Sequence, residues 1–176
     1  MNKPTVSQLL DLISKPALIK WSNKIGLEGI PLDEYRKKAF ASGSNKHKQI
    51  EDYLKSGKEI ENELLRKMFL KFISDKKVID CEVSVENEYY FGRYDIKFEY
   101  NGKIYIGDFK SSNKVYQNNR LQLMAYKLAS DGAEKVCIIS LIDFNMTTVR
   151  IKDEREYEQT LRILSELYQL KHVLGL

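Results

Sequence analysis

The chain has 176 residues, a size that favours one compact domain of roughly 150 residues over two, and its 43% hydrophobic and 31% charged residues exclude extended disorder. Its 29 basic and 25 acidic side chains leave a net charge of +4, which permits a polyanionic partner where basic residues cluster but does not demand one. Cys81 and Cys137 stand far apart and outside any CxxC pair, which excludes a disulfide framework, a zinc knuckle and a four-cysteine iron–sulfur cluster.

A reducing cytoplasm fits this cysteine usage. No apolar stretch approaches the roughly 18 residues that cross a bilayer, and the N-terminus lacks the apolar run and small-residue cleavage site of a signal peptide. The expected organisation is a single unit over 1–176, with a helical lead-in over 1–42, a core over 43–151 and a closing helix over 152–176.

All three prolines, Pro4, Pro16 and Pro31, fall early and predict short helices separated by breaks. A helical pattern from Leu32 to Ser42 runs up to Gly43, which predicts a stop. Ser44 would then cap a new helix carrying His47, Ile50, Glu51 and Leu54, ended by Gly57. From Glu59 to Asp75 the residues Ile60, Leu64, Leu65, Met68, Phe69, Phe72 and Ile73 share one broad apolar face. After Lys77 the pattern becomes strand: Val78 to Glu86, Tyr89 to Tyr100 and Lys103 to Ser111, a β-meander. Tyr116 to Ser130 is helical, Lys135 to Ile142 and Thr147 to Ile151 read as strands, and Glu154 to Val173 closes as a helix. The class is α/β or α+β, with a central mixed sheet, partly an antiparallel meander, flanked by helices.

Asn101-Gly102 between two β-rich runs is a strong hairpin signal, because a type I′ turn needs positive φ at both central residues. Tyr100 then opposes Lys103, and counting back pair by pair sets Asp95 opposite Asp108. Directly opposed side chains share a face about 5 Å apart, where two carboxylates at an effective dielectric of about 20 repel by about 3 kcal/mol. A divalent cation between them would relieve that repulsion, and Lys110, two residues past Asp108, falls on the same face. Tyr94, Ile96, Phe98, Tyr105 and Phe109 form the opposite, core face. On the hairpin alone, a surface salt-bridge cluster of Asp95, Asp108 and Lys110 is an equally good reading.

The flanking residues extend the pattern: Gly-x-x-Asp at Gly92 to Asp95, Asp-x-Lys at Asp108 to Lys110, then Gln-x-x-x-Tyr at Gln122 to Tyr126. In this order the motifs resemble the PD-(D/E)xK nuclease superfamily. With His47 on an upstream helix in Gly43-Ser44-Asn45-Lys46-His47, the chain is similar to the RecB-like branch. Ser7, Pro16-Ala17-Leu18, Trp21 and Gly26 also resemble the lead-in of its small phage-type and mitochondrial-type exonucleases, here of the kind without an iron–sulfur cluster.

The resemblance implies a restriction-endonuclease-like core and a deoxyribonuclease dependent on Mg²⁺ or Mn²⁺, with Asp95, Asp108, His47 and the Phe109 carbonyl as metal ligands. Lys110 would position the attacking water and neutralise charge on the phosphate, and Gln122 and Tyr126 would contact the scissile phosphate or hold the hydrogen-bond network. Each of these residues also has an ordinary reading: a half-buried His47 satisfying one hydrogen bond, a solubilising Lys110, a core Tyr126 beside an exposed Gln122, and a Glu51 paired with Lys48 or Lys55.

Most of the eleven tyrosines lie between Tyr89 and Tyr126, as core or as stacking faces for unpaired bases. The basic residues Lys37-Lys38, Arg66-Lys67, Lys76-Lys77 and Arg120 read either as a backbone-tracking surface or as dispersed solvated charge. The expected activity is exonucleolytic cleavage of single-stranded DNA or duplex ends in recombination, repair or replication. It would act with a recombination or replication partner protein, without a membrane, in the cytoplasm of a bacterial or phage-infected cell. An endonuclease of the same superfamily, a non-cutting nucleic-acid-binding module and a structural protein with a fortuitous acidic hairpin remain open on the sequence.

Overall fold

The computed structural model describes residues 3–13, 16–29, 31–112 and 114–175, with backbone alone for 16–18, 34–36 and 38–40. Pro16, Ala17 and Leu18 of the lead-in and Lys38 of the basic pairs therefore lie outside the residues whose side chains are described. The described residues form an α+β structure in which helices flank a five-stranded mixed sheet.

Three helices lead in: α1 (Val6–Asp11), α2 (Pro16–Leu27) and α3 (Leu32–Ser56). Thr5 caps α1 through a reciprocal pair with Gln8, each side chain accepting from the other residue's backbone N–H at 3.1 and 2.8 Å. The expected stop at Gly43 does not occur, because α3 runs unbroken through it to Gly57, whose φ of 71° makes the left-handed cap. A glycine inside a helix costs only about 1 kcal/mol, and α3 passes close to the chain leaving the third strand at this point. A Cβ on Gly43 would stand 3.7 Å from Ser111 Cβ, ordinary van der Waals contact, so the position is tight but not closed.

Helix α4 (Glu63–Ile73) starts where the Asn62 side chain accepts from the Leu65 N–H at 2.9 Å, four residues later than the apolar pattern suggests. Strands β1 (Lys77–Glu86), β2 (Phe91–Tyr100) and β3 (Lys103–Lys110) form the antiparallel meander. Helix α5 (Gln117–Leu128) carries the chain over to β4 (Lys135–Ser140), which lies parallel to β3, and β5 (Met146–Thr148) closes the sheet antiparallel to β4. β5 is shorter than the expected Thr147 to Ile151. The last helix, α6 (Glu154–Leu174), is capped by Asp153, whose side chain accepts from the Arg155 N–H.

Alternating residues of β4 sort the core into two layers. Val136 and Ile138 face α1, α5 and α6, joining Val6, Leu9, Leu121, Met124 and Leu161. Cys137 and Ile139 face α3 and α4, joining Ile50, Leu65, Phe69, Phe72, Ile96, Phe98 and Phe109. Gly107 of β3 lies beneath this second layer, where a Cβ would come within 2.7 Å of Ile139 Cδ1 and 3.0 Å of Ile96 Cγ2.

The expectation that one face of the hairpin holds all its apolar side chains needs correction. Ile96, Phe98 and Phe109 pack in the α3/α4 layer, but Tyr94 belongs to the other. Strand alternation is lost at Asp95, and β1 is irregular at the same level: Glu82, between the pairs Cys81↔Ile96 and Val83↔Tyr94, has a φ of 53°. A left-handed residue reverses the sense in which neighbouring side chains alternate, and such a conformation in a bulky residue needs support from its surroundings.

Candidate metal and phosphate site

The Asn101-Gly102 turn forms as expected, with φ of 49° and 69°, and pairs Tyr100 with Lys103. The ladder continues in the expected register to Ile96↔Gly107 and stops there, so Asp95 and Asp108 do not form the expected ladder pair across its open end. There Asp95 Oδ2 accepts from the Phe109 N–H at 2.6 Å, so one carboxylate reaches across to the neighbouring strand.

His47 arrives from α3, anchored by the fully buried Ile50 three residues on, which fixes the rotation of the helix over the sheet. Its Nε2 lies 2.9 Å from Asp95 Oδ2, its Nδ1 lies 3.5 Å from Glu82 Oε1, and its ring sits edge-on to Phe109 at 5.4 Å. Burial opposes the imidazolium, but the hydrogen bond and charge of Asp95, with the charges of Glu82 and Asp108, outweigh it and raise the pKa. His47, Glu82 and Asp95 each offer one ligand atom, all within 4.8 Å of one another. An imidazole nitrogen with carboxylate oxygens suits a hard or borderline divalent cation such as Mg²⁺ or Mn²⁺.

Glu82 is the residue that sequence reasoning missed. It lies in no motif, and the only signal was an acidic residue inside the apolar run of Cys81, Val83 and Val85. Its side chain is only 4% exposed and its Oε2 meets Arg93 Nε at 2.8 Å. Burial and the charge of Asp95 raise its pKa against the pull of Arg93 and His47.

Asp108 is not on a solvated face, as a surface cluster would require: it is 3% exposed beneath α5. Burial, then the charge of Asp95, push its pKa up to about 6 against the opposing pull of Lys110. It stands outside the mutual ligand distance of His47, Glu82 and Asp95. Its Oδ2 has Lys110 Nζ at 2.7 Å, but this buried oxygen receives no aligned hydrogen bond. The Lys110 ammonium beside it offsets part of the cost of burying this carboxylate.

Lys110 donates to Gln122 Oε1 at 3.0 Å, and Gln122 Nε2 donates to Tyr126 Oη at 2.9 Å. The i, i+4 spacing on α5 thus joins the expected residues in one line. Tyr126 is core as well as polar: its ring lies against Gly92, where a Cβ would stand 2.7 Å from Cε1. Burial and the charge of Asp108 raise its pKa. The Gly92 of Gly-x-x-Asp thus makes room for the Tyr of Gln-x-x-x-Tyr. Phe109, expected to offer its carbonyl, supplies its N–H to Asp95 and its ring to His47.

Glu51 stands apart, paired with Lys55 at 2.9 Å and Lys48 at 3.4 Å. Among the basic residues, Lys76 lies over the rings of Phe72 and Tyr100 at 4.3 and 4.5 Å and donates to the Phe72 carbonyl, and Arg66 pairs with Glu59. Neither is a free phosphate contact. Tyr90, Tyr94 and Tyr126 are buried, and Tyr116 is 43% exposed. No helix among the described residues is long and apolar enough to cross a membrane.

No protein-family model matches the sequence, and no curated protein matches it. Among solved structures, a crystal structure of SSO0001 is similar over 93% of this chain and 75% of that one, at 15% identity and a TM-score of 0.46, a likeness that carries no argument about fold or activity.

Proposed function

We propose that the protein is a metal-dependent deoxyribonuclease, an exonuclease that hydrolyses phosphodiester bonds at DNA ends or in single strands during recombination, repair or replication. One observation carries this reading: a nitrogen-and-carboxylate ligand set lies beside a buried carboxylate that is ion-paired to a lysine held by a glutamine–tyrosine pair. Cation-binding and anion-binding groups side by side are what a phosphodiester with its metal requires.

His47, Glu82 and Asp95 would hold Mg²⁺ or Mn²⁺, while Asp108 holds Lys110 beside them. When bound, such an ion lowers the pKa of water and stabilises charge on phosphate oxygens. The chain's own groups do the rest. The Phe109 N–H fixes Asp95, and Arg93 fixes Glu82. The Lys110 ammonium has three N–H groups; one goes to Gln122, the carboxylate of Asp108 holds the nitrogen in place, and a donor remains for a phosphate oxygen or the attacking water. Tyr126, clamped against Gly92, sets the position of Gln122 and through it of Lys110.

The test incubates end-labelled linear and circular DNA, single- and double-stranded, with wild type, Lys110→Ala and Asp108→Ala in Mg²⁺, Mn²⁺ or EDTA. Release of nucleotides from linear substrate that requires metal and both side chains is the expected result. Cleavage indifferent to EDTA and to both substitutions would reject the site, and cutting of circles would make the enzyme an endonuclease.

A further inference from the structure

Helix α6 has two apolar faces, and the fold uses one. Leu161, Leu164 and Ser165 are buried against α1 and α5, and the Ser165 hydroxyl donates to the Tyr89 carbonyl at 2.8 Å. On the other side Ile163, Leu167, Leu170 and Leu174 stand 51, 42, 59 and 67% exposed. At about 100° per residue these four fall within a sector of about 60°, turned about 140° from the buried face. Single exposed leucines are ordinary, but four in line over about 16 Å of helix form a contiguous strip of the kind that marks an interaction surface.

The spacing of 4, 3 and 4 residues is that of alternating d and a positions of a heptad, the seam of a two-stranded coiled coil. Thr160 and Glu156, at the preceding seam positions, end the apolar strip. One charge stands on each flank: Glu166, 65% exposed and loosely paired with Arg162 at 3.8 Å on its own helix, takes a g position, and Lys171 the e position five residues later. In a parallel pair each g residue faces the e residue five positions on in the other helix, so two copies of this strip bring Glu166 and Lys171 together on both sides of the seam. An antiparallel pair would turn each acidic flank toward the same flank of the other copy. A membrane-seeking helix would carry Lys or Arg along both flanks, which this one does not.

We propose that α6 pairs with α6 of a second copy of this chain in a short parallel coiled coil, with Ile163, Leu167, Leu170 and Leu174 as its seam and Glu166 facing Lys171 across it. This inference is independent of the nuclease reading. A seam of under two heptads is short, so the dimer should dissociate on dilution.

Sedimentation equilibrium of the full chain over a dilution series is the test. A dimer that dissociates on dilution is expected. Leu167→Lys and Leu170→Lys should each leave a monomer with wild-type circular dichroism that melts as the wild type does at dilutions where the dimer has dissociated, because both residues are exposed in the isolated fold. Glu166→Lys should raise the dissociation constant, and adding Lys171→Glu should restore it. A wild type monomeric at every concentration overturns the proposal, whether or not it binds vesicles of phosphatidylcholine and phosphatidylglycerol. So does a dimer whose constant neither leucine substitution moves.

Discussion

The two ends of the β2–β3 hairpin are built by different rules. At the closed end, Asn101 and Gly102 adopt positive φ, both are exposed, and the pairing of Tyr100 with Lys103 follows from four consecutive residues. At the open end, Asp95 and Asp108 are joined by a histidine 48 residues upstream, a glutamate from the neighbouring strand and a lysine held by a helix that follows. The turn specifies which residues meet; the packing around them specifies what they do. One end is a local solution to backbone sterics, whereas the other spends stability on buried charge, as binding and catalytic sites do.

Substitutions at the open end should reach activity and metal affinity, while the turn should reach stability alone. The largest effect is expected from Lys110→Ala, which should lower metal-dependent DNA hydrolysis by ~10²-fold or more and, by leaving the buried Asp108 without its ion pair, should also lower the melting temperature at neutral pH. Glu82→Ala should weaken Mn²⁺ binding by ~10 to 100-fold in calorimetry. Unchanged affinity there would reduce Glu82 to a partner of Arg93.

The buried Asp108 gives a pH dependence of defined sign. With its pKa raised to about 6, the folded chain holds this proton more tightly than the unfolded one. The associated stability is present below the ordinary carboxylate range and is lost as pH rises through about 6. The raised pKa of His47 acts in the same direction at higher pH. In EDTA the melting temperature should therefore fall from pH 4 to 8, and Asp108→Asn should flatten the lower part of that fall and melt higher at neutral pH. A wild-type profile rising over that range would contradict the burial argument.

Gly92→Ala should cost about 1–3 kcal/mol, because its Cβ would collide with the Tyr126 ring and with Val6. It should also lower activity by shifting Gln122. The smallest effect belongs to the closed end: Gly102→Ala, at a φ of 69° but in open space, should cost about 1 kcal/mol and leave hydrolysis unchanged. Loss of activity in that variant would show that the two ends are coupled more tightly than the packing implies.

Much of this was legible in the residues. Six helical and strand segments after Leu32 lie close to their expected ranges, since apolar periodicity and caps are local signals. The line from Lys110 through Gln122 to Tyr126 was implied by motif order and helical spacing. Gly43 misled because a glycine ends a helix only when nothing on either side holds the helix together, and α3 has Ile50 and the sheet below it. Tyr94 misled because strand alternation assumes extended backbone throughout, which is lost at this level, where Glu82 has a φ of 53°; Glu82 was missed because no motif contains it.

The amino-acid order alone determined the mixed sheet with its helices and the hairpin register, because turns, periodicity and spacing act over a few residues. Only the tertiary structure decided that Glu82 stands beside His47, that Asp108 is sealed beneath α5 and that one face of α6 stays uncovered. Those outcomes depend on which distant surfaces exclude water together, and no short stretch of chain encodes that.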